Sequence, residues 1–142
     1  MNYLIDTNVI SEVQKPSPER RVLAWLDGVS SDDLYLSAVT IGEIEKGVQR
    51  QLRLSPGKGR ALRAWLETLV ESYADRIVPV DVGIARRWGA LCDSYPGLET
   101  DMLIAATAFE RQMTVVSRNV RHFAMTGLPI FNPFAGSEDE RG

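Results

Sequence analysis

Three acids in this chain, Asp6, Glu43 and Asp101, sit where a chemically useful carboxylate would be placed. Asp6 closes the short apolar run Asn2-Tyr3-Leu4-Ile5 and is followed at once by Thr7 and Asn8 at the head of a helical pattern. A strand ending on an acid puts a carboxylate at the carboxyl edge of a sheet, the edge where open α/β sheets bind ligands. Glu43 is expected in the first turn of the helix after a second strand, and Asp101 in the first turn of a helix over Asp101–Gln112. Brought together, such carboxylates repel one another and their pKa values rise unless a cation neutralises them. A hard, oxygen-seeking ion such as Mg²⁺ or Mn²⁺ is the natural partner. It can lower the pKa of a bound water and clamp a phosphoryl oxygen. The chemistry expected of this set is metal-assisted hydrolysis of a phosphodiester.

Each acid also has a purely structural reading. Asp6 suits the N-cap of the helix behind it. Glu43 stands three residues after Thr40, the spacing of a capping box. Thr100 or Asp101 can cap its own helix, and an acid there suits the helix dipole. The joint reading gains weight from Asp101, because Met102-Leu103-Ile104-Ala105-Ala106-Thr107-Ala108-Phe109 is almost wholly apolar and a charge at its head must face an edge or a pocket. Other candidates carry less. Glu45 and Asp81 suit solvated surface, and Cys92 suits a small core position. The lone His122 cannot form a histidine metal site by itself. Trp25, Trp65 and Trp88 fall at core spacing. Gly57 and Gly59 lack the Lys-Ser/Thr context of a phosphate-binding loop, and there is no Gly-x-Ser-x-Gly elbow.

The elements that must position these acids are legible from periodicity. Strands are expected at Asn2–Ile5, Leu34–Leu36, Ile77–Val80, Thr114–Val116 and Leu128–Phe131. Helices are expected from Thr7 to about Gln14 and from Glu19 through Val22, Trp25, Leu26 and Val29. Another carries Ile41, Ile44 and Val48 on one face. After a turn at Pro56-Gly57-Lys58-Gly59, a long helix carries Leu62 to Tyr73; Gly83–Ser94 and Asp101–Gln112 complete the set. Short β-runs alternating with helices predict an α/β fold with a parallel sheet and helices on both faces.

The whole chain sets bounds. Its 142 residues suit one domain, and 44% hydrophobic with 25% charged residues is ordinary for a globular protein. No apolar run approaches a membrane span, no signal peptide is visible, and one cysteine gives neither a disulfide framework nor a zinc site. A cytoplasmic setting with no membrane partner is the expectation. A net charge of −3 argues against a dedicated nucleic-acid binding module, though not against an enzyme that holds nucleic acid through metal and a local Arg patch.

Four blocks and a closing pair then match a known family in order: Ile5-Asp6-Thr7-Asn8-Val9-Ile10-Ser11-Glu12, Ser37-Ala38-Val39-Thr40-Ile41-Gly42-Glu43-Ile44, Asp101-Met102-Leu103-Ile104-Ala105-Ala106-Thr107-Ala108, Val116-Ser117-Arg118-Asn119-Val120-Arg121-His122-Phe123, and Asn132-Pro133. From Met1 to about Phe134 the chain resembles PIN-domain ribonucleases, nearest the VapC/FitB-type toxins of bacterial type II toxin–antitoxin pairs. The resemblance implies a PIN-like three-layer α/β/α fold with a short, mostly parallel sheet of about five strands. It implies a nuclease domain over residues 1–134 and a polar tail over 135–142. It carries the family's metal-holding acids to Asp6, Glu43 and Asp101, with Mg²⁺, or Mn²⁺, activating water for in-line attack on RNA and leaving 5′-phosphate and 3′-hydroxyl ends. Asn8 or Ser117 would orient waters or acids, and Arg118 and Arg121 would contact phosphate. The late block of the family usually holds a further acid, but here Asn119 and His122 stand in that region. Asn119 would act as a neutral catalytic ligand to a water or substrate oxygen, and His122 as a phosphate contact or proton donor. The implied partners are a cognate VapB/FitA-like antitoxin, RNA as substrate, operator DNA only through the antitoxin, and a second copy in a homodimer or a higher toxin–antitoxin assembly. A runner-up is a catalytically weak PIN-like module acting mainly in an antitoxin–DNA complex. A phosphatase or receiver-like domain is a third reading, opposed by the lack of a second acid two residues after Asp6.

Overall fold

The structure, a computed structural model, describes residues 1–135, so the expected polar tail lies outside the described residues except for its first position. The elements run β1 (Tyr3–Ile5), α1 (Thr7–Ile10), a 3-10 turn (Ser11–Gln14), α2 (Arg20–Gly28), a second 3-10 turn (Ser31–Asp33), β2 (Leu34–Ser37), α3 (Ala38–Leu54), α4 (Pro56–Ser72), β3 (Ile77–Val78), α5 (Val82–Ser94), α6 (Glu99–Arg111), β4 (Thr114–Val116), α7 (Val120–Ala124) and β5 (Ile130–Phe131). The five strands lie in the order β3-β2-β1-β4-β5. Every neighbouring pair is parallel. The chain builds outward from β1 to β3 on one side, then returns to build β4 and β5 on the other. The strand order therefore reverses between β1 and β4, the position at whose carboxyl edge open α/β sheets bind ligands.

Side chains alternate across the strands and so feed two cores. Leu4 and Val115 pack with Ile84 of α5, Met102, Ile104 and Ala105 of α6, and Phe123 of α7. Ile5, Leu36 and Val116 pack with Val9, Val22, Val48 and Leu66 from α1 to α4. This is a three-layer α/β/α arrangement with an apolar layer on each face of the sheet. Trp25 belongs to the second layer, its ring centroid 5.1 Å from that of Tyr3 and 5.2 Å from that of Phe131, so it packs as its spacing predicts. None of the described helices is long and apolar enough to cross a membrane.

Several local expectations are corrected. The Thr40–Glu43 capping box does not form. Ser37 caps α3, accepting from the Val39 N–H at 3.1 Å, so Thr40 is buried inside the helix and Glu43 falls in its second turn. Neither Thr100 nor Asp101 caps α6; Leu98 occupies that position without a side-chain bond, and Asp101 lies in the first turn. The Pro56–Gly59 turn is instead the opening of α4, with Pro56 at its first position, where a missing N–H costs nothing. Gly59 is needed there because α4 presses against α3: a Cβ on it would lie 2.5 Å from the Leu52 backbone nitrogen. Residues Ser11–Gln14 tighten into a 3-10 turn, and the short helix α7 has no counterpart among the expected elements.

Candidate active site

Asp6 follows β1 directly, and its backbone N–H donates to the carbonyl of Val116 at 2.8 Å, which sets Asp6 beside Ser117 at the carboxyl ends of β1 and β4. The side chain is only 4% exposed. Its Oδ1 accepts from the Thr7 N–H at 2.8 Å, so Asp6 is indeed the N-cap of α1. The capping role uses one oxygen only. Oδ2 accepts from the Ser117 hydroxyl at 2.7 Å and, more weakly, from Asn8 Nδ2 at 3.4 Å. Ser117 Oγ itself accepts from the Asn119 N–H at 2.9 Å and from Asn8 Nδ2 at 3.3 Å. Those two bonds fill its lone pairs and leave its hydrogen for Asp6. Asn8 Oδ1 accepts from the Arg118 N–H at 3.1 Å, which fixes the amide with its NH₂ toward Asp6 and Ser117.

The other two acids arrive from the two sides of the sheet. Thr7 Oγ1 lies 2.6 Å from Glu43 Oε1 and 3.2 Å from Thr40 Oγ1. A hydroxyl has one hydrogen to give, and the carboxylate, an acceptor only, takes it. Asp101 lies 2.6 Å, Oδ2 to Nδ1, from His122 on α7. The structure thus brings Asp6, Asn8, Ser117 and the backbone of Arg118 and Asn119 into one network, and ties Glu43 and Asp101 each to a partner of its own. The side chain of Asn119 makes no capping bond to α7. The Arg118 guanidinium stacks on Phe134, 3.6 Å from its ring centre. Arg121 is exposed.

The electrostatics couple the three acids. Asp6 is raised from 3.8 to about 6, first by burial; the Ser117 and Thr7 hydrogen bonds pull it down, and the charges of Asp101 and Glu43 push it up. No three His, Cys, Asp or Glu side chains among the described residues stand close enough in this arrangement to share one ion. Two acids are turned to other partners, Glu43 to Thr7 and Asp101 to His122. The donor set still fits a hard divalent cation: it is all carboxylate oxygen, and a cation would offset both the burial of the Asp6 charge and the smaller repulsion from Asp101 and Glu43.

Glu12 is a further buried acid, 5% exposed, that stands outside this set. Lys15 at 2.9 Å and the Glu19 N–H at 2.9 Å hold its carboxyl below the usual range, with the charges of Lys15 and Arg118 adding to that, so it clips the loop that leads into α2. Sequence reasoning missed Thr7 and Thr40 as site residues. Their only sequence signal, a Thr near a helix start, is also the signal of ordinary capping.

Comparison with known proteins places this geometry among relatives. The family described as PIN domain matches residues 3–127. Toxin FitB of Neisseria gonorrhoeae is 39% identical over 138 residues, covering 92% of this chain and 97% of FitB. VapC ribonuclease Y4jK of Sinorhizobium fredii is 35% identical over 138 residues, covering 92% and 96%. The solved structure of FitAB bound to an IR36 DNA fragment contains a chain with a TM-score of 0.84 and 35% identity, covering 95% of this chain and 97% of that one.

Proposed function

The chain belongs to the PIN-domain family, and from that premise we propose that it is a metal-dependent endoribonuclease, the toxin of a type II toxin–antitoxin pair. The observation that carries this reading is the buried Asp6 carboxyl just beyond β1, held up to about 6 chiefly by its burial and pushed further up by the charges of Asp101 and Glu43. Similarity to a named toxin and a named ribonuclease along almost the whole chain supports it.

Asp6, Glu43 and Asp101 would hold Mg²⁺ or Mn²⁺, which when bound supplies charge neutralisation, a more acidic water and polarisation of a phosphoryl oxygen. The chain's own residues then do the positioning. Ser117 and Asn8 hold the Asp6 carboxylate by Oδ2. Thr7 holds Glu43 by Oε1, and His122 holds Asp101 by Oδ2, which leaves the second oxygen of each acid free to face an ion. Asn119, whose side chain spends no bond on capping, is available to a water or a substrate oxygen. Arg118, which follows β4, and Arg121, exposed on α7, would meet phosphate. The nuclease domain comprises residues 1–134 and works in the cytoplasm. An antitoxin of the VapB/FitA kind would neutralise it and carry the complex to operator DNA, a reading supported by the FitAB–DNA assembly. Dimerisation of the toxin belongs to the same proposal.

The test uses the full chain freed of antitoxin, single-stranded RNA, Mn²⁺ or Mg²⁺ and an EDTA control. Cleavage should need metal, leave 5′-phosphate ends, and vanish in Asp6→Asn and Asp101→Asn. Products with 2′,3′-cyclic phosphate ends would exclude this chemistry. A second reading, a weakly catalytic module acting through the antitoxin–DNA complex, is favoured by one observation: a neutral Asn119 stands in the late block. Absence of cleavage by folded, metal-loaded wild type would select it.

A further inference from the structure

The hairpin formed by α3 and α4 has a charge unlike the rest of the chain. Between Lys46 and Arg63 it carries Lys46, Arg50, Arg53, Lys58, Arg60 and Arg63, six of the sixteen Lys and Arg residues, and none of the nineteen Asp and Glu. All six are exposed, and none forms an ion pair with a described residue. Elsewhere in the chain Arg87 and Arg111 are paired with Glu110 and Asp81. A solvated face of a protein with net charge −3 would ordinarily mix both signs.

Position adds meaning to the charge. Glu43 lies on α3, and Lys46, Arg50 and Arg53 follow it at three, seven and ten residues. At 3.6 residues per turn all three fall within about 80° of the Glu43 side of the helix, and the row runs about 15 Å along the axis away from it. Lys46, Gln49, Arg50, Arg53 and Leu54 border a shallow groove of about 620 Å³ on this face. A row of unpaired cations that begins one helical turn from an acid of the active site suits a polyanion whose backbone enters that site.

We propose that the outer face of α3, through Lys46, Arg50 and Arg53, is the track that holds the phosphate backbone of single-stranded RNA as it leads to the Asp6–Glu43–Asp101 site. This inference rests on the ribonuclease reading for the identity of the polyanion. The α4 cations Lys58, Arg60 and Arg63 add to the positive charge of the hairpin without belonging to this row. The track explains how a chain of acidic balance holds a polyanion: local charge, not net charge, meets the backbone.

The test compares the full wild-type chain with the triple variant Lys46→Gln, Arg50→Gln, Arg53→Gln. Fluorescent single-stranded RNA and duplex DNA of equal length are titrated in EDTA, where no cleavage occurs, over a range of salt. Circular dichroism melting checks that both proteins are folded. The variant should bind RNA about tenfold or more weakly, and its salt slope should fall by about 2, since each lost phosphate contact removes roughly 0.7. In Mn²⁺ its cleavage deficit should be recovered at high RNA concentration. Variant and wild type with equal RNA affinity and equal salt slope would overturn the track, as would a loss confined to duplex DNA. A wild type that binds RNA through these residues yet never cleaves it would instead sink the ribonuclease reading and leave the track standing.

Discussion

Asp101 and His122 stand twenty-one positions apart in the chain and 2.6 Å apart in space. The imidazole commits one carboxylate oxygen and fixes the direction of the other, the service that outer partners perform for ligating groups elsewhere. His122 is therefore a positioning residue in the proposed mechanism. Replacing it with Phe should weaken Mn²⁺ binding, measured by calorimetry in the absence of RNA, by roughly tenfold or more. His122→Asn should restore much of that affinity, because its amide offers a donor close to where Nδ1 stands. Equal affinities for wild type and both variants would show that the contact does nothing for the site. Ser117 and Thr7 act in the same way on Asp6 and Glu43, and each uses its single hydroxyl hydrogen to do so.

At the scale of elements, the helix pair α3–α4 is the part whose packing is least forgiving. Gly59 meets the backbone of Leu52, with a Cβ placed 2.5 Å from its nitrogen and 2.7 Å from its Cα. Backbone cannot swing aside as a side chain can, so Gly59→Ala must part the two helices. A loss of roughly 1–3 kcal/mol or more is expected in urea unfolding. Gly89 in α5 is exposed and has nothing within 4 Å of a Cβ, so Gly89→Ala should instead stabilise by about 0.5–1 kcal/mol. Loss of stability in both variants to the same degree would mean that close approach is not the reason for Gly59. The same hairpin carries the basic track, so an intact α3–α4 contact also keeps Lys46, Arg50 and Arg53 in register with Glu43.

For the whole molecule, the site is a point of stored electrostatic cost to which three elements contribute. Asp6 is raised from 3.8 to about 6, so between those values the folded chain holds a proton that the unfolded chain has released. Stability contributed through Asp6 therefore falls as pH rises through that window, by up to about 3 kcal/mol. In EDTA, Asp6→Asn should gain on the wild type as pH goes from about 4 to 8. Any fixed penalty from an amide facing the Ser117 hydroxyl cancels in that comparison. Adding Mn²⁺ at pH 8 should raise the melting temperature of the wild type alone, by the equivalent of about 2.7 kcal/mol at a hundred times its Kd. A stability difference between the two proteins that ignores both pH and Mn²⁺ would remove the electrostatic basis of the site.

Much of this was legible in the residues themselves. Apolar periodicity located all five strands and most helices, because burial of one face leaves a repeat that any local window reads. The acids Asp6, Glu43 and Asp101 were recognisable because each sits near the end of such an element, and the almost wholly apolar α6 marks the head of that helix as a place where a charge needs a reason. What periodicity could not decide was which of several local bonds would win. Ser37, not Thr40, caps α3, because Thr40 is turned inward beneath Thr7. Pro56 begins a helix instead of a turn, because α4 can lie against α3 at Gly59. Helix α7, with five residues, is too short to leave a repeat. The pairing of Asp101 with His122, of Glu43 with Thr7 and of Asp6 with Ser117 spans 21, 36 and 111 positions. Composition and spacing determined which groups this protein has and at which ends of its elements they stand. Only the parallel sheet, by bringing the ends of β1, β2 and β4 to one edge, decided which of them touch, since contact between distant residues is a property of the packed chain and leaves no mark on any short stretch of it.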